Sequence, residues 1–370
     1  MKIGILTFHC AHNYGTVLQA YALQEFLKSQ GHTVSILDYR PEYILHLYKV
    51  FTLKKKKNAS WLVYFKSVVS RLLTLSIRKK RFKAFDTFIT ERMQLSSPLF
   101  DVADSAFDAY VFGSDQIWNP IICHGFDERF FGDFKAARGK KRIAYAASMS
   151  AFKLDDYQVG YYRDKLQHLD CIGVREESLK DLLTPLTDKP ISVVIDPTLL
   201  VGSEVFNPIA VAPKRERKYV LVYQINKNKH AFELAHKIAK EQDADVVEIV
   251  ASWLDYRTSP NKIQCASPEE FLGYIKHACF VITTSFHGTV FSVLFEKPFY
   301  TLKVHSGADA RAASLLESLG LSNRFIDGTA LPEKYLTMNV EEVSGRLAEL
   351  RKSSYSFLES SLTDQKKKSI

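Results

Sequence analysis

Short unbroken apolar runs alternate along this chain with stretches of helical period, and that alternation sets out most of its architecture. Residues 2–8 read as a buried strand, 9–15 as a loop, and 16–29 as a helix carrying apolar Val17, Leu18, Tyr21, Leu23 and Leu27. Gly31 stops that helix and residues 33–39 return as a second strand, a βαβ opening. Further strands are predicted at Ala109–Phe112, 142–146, Cys171–Val174 and 191–195, each running into small, polar or charged residues. Residues 202–213, marked by Gly, Ser and Pro and without periodicity, read as an inter-domain linker. A second series follows, with strands at Tyr219–Gln224, 246–250, Phe280–Thr283 and Phe299–Leu302 alternating with helices at 231–242, Pro268–His277 and 288–295. Val340–Leu362 closes the pattern as an amphipathic helical stretch.

The expected fold class is therefore α/β, two Rossmann-like doubly wound domains facing each other across a cleft. The first spans residues 1–203 and the second 214–330, with a helical extension and basic tail over 331–370. Ligands of open parallel sheets bind outside the carboxyl ends of the strands, so the chemistry should come from residues just after strands.

Four constellations occupy such positions. In the first loop, His9-Cys10-Ala11-His12-Asn13-Tyr14-Gly15 leads into a helix whose first turn offers free amides and the positive dipole end, an anion cradle that Gly15 opens to close approach. The same residues equally form a capped βα turn. No metal site is expected from His9, Cys10 and His12, which crowd three ligands into four residues without a matching cluster elsewhere. In the second, Ser114-Asp115-Gln116-Ile117-Trp118-Asn119 sets hydrogen-bonding side chains beside an indole, the combination that sugar hydroxyls and their apolar C–H faces require. Asp115 is a candidate base for a hydroxyl there.

In the third, Arg175 stands at a strand end ahead of a helix, placed to clamp a carboxylate or phosphate, or simply to pair with Glu176 or Glu177. In the fourth, Thr283-Thr284-Ser285-Phe286-His287-Gly288-Thr289 puts one histidine among hydroxyls at the edge of the second sheet, the best general acid/base candidate in the chain. Lys303 and Arg311 add positive charge near the same edge, or are ordinary solvated cations.

The opening KIGILTFHCAHNYGTVLQAYALQEFL, the central FGSDQIWN and the later TTSFHGTVFSVLFEKPF, in that order and spacing, resemble the polysaccharide pyruvyl transferase family over roughly residues 1–330. The resemblance implies a GT-B-like fold and transfer of a pyruvyl group from phosphoenolpyruvate to sugar hydroxyls, forming a cyclic ketal on a cell-surface glycan or its lipid-linked precursor. It implies His287 as acid/base and Arg175 as a donor-binding arginine, with Lys303 as an approximate counterpart of the family's donor-binding lysine; the positions of the residues themselves add Asp115 as a base and Ser285, Gly288 and Arg311 to the donor site. Ser285 stands where some members carry an Arg two residues before the histidine. The acceptor would meet Asn13, Tyr14, Gly15, Ser114, Gln116, Trp118 and Asn119. Phosphoenolpyruvate would serve as co-substrate, with no metal and no cofactor. The competing reading is a GT-B glycosyltransferase using a nucleotide sugar. Many retaining enzymes of that kind hold the nucleotide sugar with two Glu about seven residues apart; here Glu296 is followed at that spacing by Lys303.

Composition changes this picture in one place. The 370 residues carry a formal net charge of +9, yet residues 49–92 alone hold 13 Lys/Arg against Asp86 and Glu91, a net of +11, leaving −2 for the rest. No nucleic-acid motif accompanies that patch, and nucleic acid is not expected as a partner. Instead Trp61, Leu62, Phe65, Val68, Val69 and Leu72 form an apolar stripe at helical spacing, flanked by Lys54 to Lys57 and by Arg78-Lys79-Lys80-Arg81. The stripe either packs on the first domain with a solvated basic rim or lies in the plane of an anionic membrane surface. Five scattered cysteines without CxxC spacing, and no signal-peptide or 18-residue apolar run, point to a reducing cytoplasm, with peripheral attachment to the inner face of the membrane.

Overall fold

A computed structural model describes residues 1–50, 60–98, 100–102, 106–149, 153–251, 259–305, 309–329 and 337–363. Seven parallel strands form the first sheet: β1 (Lys2–Leu6), β2 (Thr33–Leu37), β3 (Leu95–Ser96), β4 (Ala109–Phe112), β5 (Lys141–Ala147), β6 (Cys171–Val174) and β7 (Ile191–Val193), in the order β3-β2-β1-β4-β5-β6-β7. Six more form the second: β8 (Tyr219–Gln224), β9 (Asp245–Val250), β10 (Lys262–Ile263), β11 (Phe280–Thr283), β12 (Phe299–Leu302) and β13 (Phe325–Ile326), in the order β10-β9-β8-β11-β12-β13. Both sheets reverse direction beside their first strand, at β1/β4 and at β8/β11. These two switch points are where the loops part and a crevice opens. Helices cover both faces of each sheet, which is why Ile3, Ile5, Val111, Val220 and Val281 are fully buried and the strands read as apolar runs rather than alternations.

The two sheets belong to one packed body. Tyr14, at the start of the helix Tyr14–Ser29, stacks on Phe271 of the second domain at 4.3 Å and donates its hydroxyl to Ala266 O. Arg81, inside the helix Leu75–Arg92, donates to Val250 O and Gln264 O across the same junction. Residues 202–213 are docked rather than a free tether: Phe206 and Ile209 are buried, and Gly273 lies so close to Val211 O that a Cβ there would sit 1.7 Å from it. The helix Val340–Leu362 returns to the first sheet, where Ser354 Oγ accepts from Ile195 N, Arg351 Nε donates to Leu199 O, and Phe357 faces Tyr145.

The basic segment is helical, as Trp61–Leu73 and Leu75–Arg92. Among the described side chains of the two helices, those in the core are on the second, Phe85, Phe88 and Ile89; the side chains of Leu62 and Val63 lie outside the description. The reading in which the stripe packs on the first domain is not realised at Trp61, Phe65 and Leu72, which are 73%, 66% and 54% exposed. Lys54 to Lys57 and the basic C-terminal tail lie outside the described residues. No helix among the described residues is long and apolar enough to cross a membrane.

Candidate active site

Loops from both switch points line one cavity of about 210 Å³ between the domains. Asn13 and Thr16 enter it after β1, Asp115 and Gln116 after β4, Ile225 and Asn226 after β8, Thr284 to His287 after β11, and Arg311 after β12. A second cavity of about 310 Å³ adjoins it, sharing Phe286 and Arg311 and lined also by Arg175, Glu176 and Asp196.

His287 is positioned from both domains. Its helix, Phe286–Leu294, begins where Ser285 caps it, the Ser285 Oγ accepting from Gly288 N at 3.3 Å. That cap places the helix start two residues earlier than the apolar pattern alone implies. From the opposite side Gly15 supplies the floor: a Cβ there would lie 2.0 Å from His287 Nδ1. The helix N-terminus of one domain thus abuts the histidine of the other. Gly15→Ala is expected to displace the imidazole and cut turnover by about 100-fold, the cost of roughly an ångström of misplacement, while the fold survives; kcat measured beside a thermal melt separates the two.

Asp196 ties the site together. Its Oδ2 accepts from Arg175 Nη1 at 2.7 Å and from Ser114 Oγ at 3.3 Å, and lies 3.5 Å from His287 Nε2, which itself makes no hydrogen bond. Its Oδ1 accepts from Thr198 N and Thr198 Oγ1. Burial alone would raise this carboxyl, but His287, Arg175 and Thr198 together hold it far below the usual carboxylate range. Asp196 is not among the residues the sequence singles out; in the structure it stands at a strand end and also caps the short helix Pro197–Val201.

Arg175 is fully engaged on one side, its Nε on Glu176 at 3.1 Å and its Nη1 on Asp196, so the pairing that sequence offers as the alternative to ligand binding exists. Burial opposes its charge, and Glu176 and Asp196 more than compensate, leaving it more firmly protonated than a free arginine. Its buried Nη2 makes no hydrogen bond. Arg311 differs: burial and the nearby Arg175 depress its charge, and its Nε is likewise buried without a hydrogen-bond partner. Both guanidinium groups lie against the Phe286 ring, at 4.7 and 5.9 Å from its centroid. Two buried guanidinium donors without hydrogen-bond partners thus belong to residues lining one cavity, an arrangement chemically suited to an anion. Asp115 faces the adjoining cavity in a left-handed backbone conformation (φ 71°), accepting from Thr16 Oγ1 at 2.6 Å.

Several sequence candidates fall elsewhere. Trp118 is a core residue, its indole stacked on Phe131 at 5.0 Å and its Nε1 donating to Phe130 O, so it offers no face to a sugar. Tyr14 is spent on the domain junction. Ser114 is buried on Ala146 O and Asp196, Asn119 is a buried turn residue accepting from Ile121 N, and Gly288 lies against Thr283, where a Cβ would be 2.2 Å from its Oγ1. Asn13 lines the cavity while capping its helix through Gly15 N and Thr16 N. Lys303 turns away to Asp327 at 3.7 Å and over the Phe325 ring, outside both cavities. In the first loop, His9 bonds Asp38. His12 is stacked on Phe85, with burial and the nearby Arg81 and Arg40 pushing it down to about 4, a neutral ring in an aromatic cluster.

The family model for polysaccharide pyruvyl transferase matches residues 13–306 of the chain. No curated protein matches it by sequence. Similar solved structures include a glycosyltransferase from Streptomyces nogalater (11% identity, TM-score 0.42, 98% of this chain and 97% of that one). A UDP-GlcNAc 2-epimerase from Methanocaldococcus jannaschii aligns at 11% identity and TM-score 0.45, over 97% and 99% of the two chains. A UDP-N-acetylglucosamine 2-epimerase from Rickettsia bellii aligns at 10% and 0.47, over 97% and 96%.

Proposed function

The chain belongs to the polysaccharide pyruvyl transferase family, and from that premise we propose that it moves the pyruvyl group of phosphoenolpyruvate onto two hydroxyls of a cell-surface glycan or its lipid-linked precursor. The observation that carries this reading is the pairing, in adjoining cavities, of one histidine with two arginine groups whose buried donors have no partner. Phosphoenolpyruvate is a small carboxylate and phosphate, and guanidinium donors held against an aromatic ring are suited to it.

In the proposed route Arg311 and the Nη2 of Arg175 hold the donor anion. His287 protonates the methylene carbon, and the adjacent carbon becomes oxocarbenium-like. A first sugar hydroxyl adds there and its proton restores His287. Phosphate leaves, taking the C–O bonding pair, and the second hydroxyl adds to close the ketal, its proton passing to Asp115 and then to the released phosphate or water. One C–O bond to phosphate breaks, two C–O bonds to sugar form, and no electrons are gained or lost, so the route needs no redox cofactor. Asn13 and Gln116 offer hydrogen bonds to the acceptor from the cavity wall. Five unpaired thiols fit work in the reducing cytoplasm.

Phosphoenolpyruvate is expected to raise the melting temperature of the protein and nucleotide sugars to leave it unchanged, with phosphate released when a suitable glycan is added. Stabilisation by a nucleotide sugar alone would overturn the donor assignment.

A further inference from the structure

We propose that the exposed face of the helices Trp61–Leu73 and Leu75–Arg92 is a docking surface for an anionic phospholipid bilayer, set at the mouth of the catalytic cavity. Trp61, Phe65, Val69 and Leu72 follow one another at helical spacing and all stand exposed, joined at the helix end by Leu73 and on the next helix by Phe82. Isolated exposed apolar residues are ordinary, but an aligned set of aromatic and aliphatic side chains is a binding face. Beside it Lys79, Lys80 and Lys83 are exposed, and from Tyr43 to Phe85 the chain contains no Asp or Glu. An apolar stripe rimmed by one sign of charge matches a headgroup layer over acyl chains.

The second of these helices is anchored to the body. Arg81 is fastened to Val250 O and Gln264 O, and Phe85 and Phe88 are buried in the core beneath it. It also leads toward the chemistry: Arg78 and Phe82 line a groove with Leu47 and Tyr48, and those last two residues line the cavity that holds His287 and Asp115. Leu47 is itself exposed at that rim. A bilayer seated on the stripe would lie at the cavity's entrance, so that an acceptor carried on a membrane lipid enters directly. A second copy of the chain is a poorer occupant, because apposing two such faces brings like charge against like charge.

This inference deepens the reading of a lipid-linked acceptor, yet its test involves no turnover, so loss of either leaves the other standing. The full-length protein is sedimented with vesicles of phosphatidylcholine containing about a third phosphatidylglycerol, and with phosphatidylcholine alone, at low and high salt. Binding is expected on the anionic vesicles only, falling steeply with salt as surface charge is screened. With each cation near the leaflet worth about fivefold in partition, the triple variant K79Q/K80Q/K83Q should bind about 100-fold more weakly. Phe65→Ser with Leu72→Ser should likewise lose binding. Trp61 emission should shift to the blue on the vesicles and the shift should vanish in Trp61→Phe, which surface adsorption without insertion would not produce. Unchanged melting temperatures establish that these exposed-site variants are folded. No vesicle binding by the wild type, equal binding by the variants, or a dimer that Phe65→Ser dissociates would each overturn the proposal, the last assigning the face to a second copy.

Discussion

Asp196→Ala is expected to lower folding stability by about 3 kcal/mol and to abolish pyruvyl transfer together with it. The carboxylate is buried and receives five contacts, from Arg175, Ser114, His287 and both donors of Thr198. Removing one partner of a buried ion pair typically costs 3–5 kcal/mol, because the other charge is left without compensation. The lower end applies here since Glu176 still faces Arg175. Urea unfolding measures the loss. Asp196→Asn keeps the volume and the acceptor for Thr198 and should cost less in stability while still weakening the hold on His287. Equal stability of wild type and Asp196→Ala would show that Arg175 does not depend on this carboxylate.

The pH dependence follows from the direction of the shift. The folded-state value of Asp196 is depressed, so its contribution is fully present above the ordinary carboxylate value of 3.8 and is lost only as pH falls below that toward the folded value. Between pH 5 and 8 Asp196 stays ionised in both the folded and the unfolded chain, so its own titration should add no slope to the unfolding free energy across that window.

Asp196 also marks the boundary of what the sequence makes legible. Strands buried on both faces announce themselves as apolar runs, and the residues after β1, β4 and β11 were readable as a site because polar groups interrupt those runs abruptly. The two-residue strands β3, β10 and β13 carry no period to read. Trp118 and Tyr14 were misplaced for a physical reason: an aromatic with a polar tip serves a sugar or a core equally well, and which it serves depends on whether Phe130 O or Ala266 O is within reach. Gly15 is visible in sequence as a permissive residue, but that it accommodates His287 depends on a contact across 272 positions of chain. The exposed stripe shows the reverse case. Helical spacing identified the helix, and only packing could say that nothing among the described residues covers Phe65 and Leu72.

His287→Ala is expected to reduce turnover by about 10²–10⁴-fold, the usual span for a positioned acid/base, without loss of donor binding. The distinction follows from the layout of the site. The proposed anion donors are Arg311 and the Nη2 of Arg175, and neither is hydrogen-bonded to His287, whose Nε2 instead lies 3.5 Å from Asp196. Truncating the imidazole therefore removes the proton source and opens space against Gly15, while both guanidinium groups keep their places on Phe286. The melting-temperature rise given by phosphoenolpyruvate should persist in His287→Ala, and phosphate release should fall to background. Arg311→Ala should behave oppositely, losing the thermal response first, because among the described residues Arg311 makes no salt bridge to a carboxylate and its Nε has no hydrogen-bond partner. If His287→Ala released phosphate at the wild-type rate, proton delivery to the methylene carbon would have to be reassigned, with Asp115 on the facing wall the next group in reach of the same cavity.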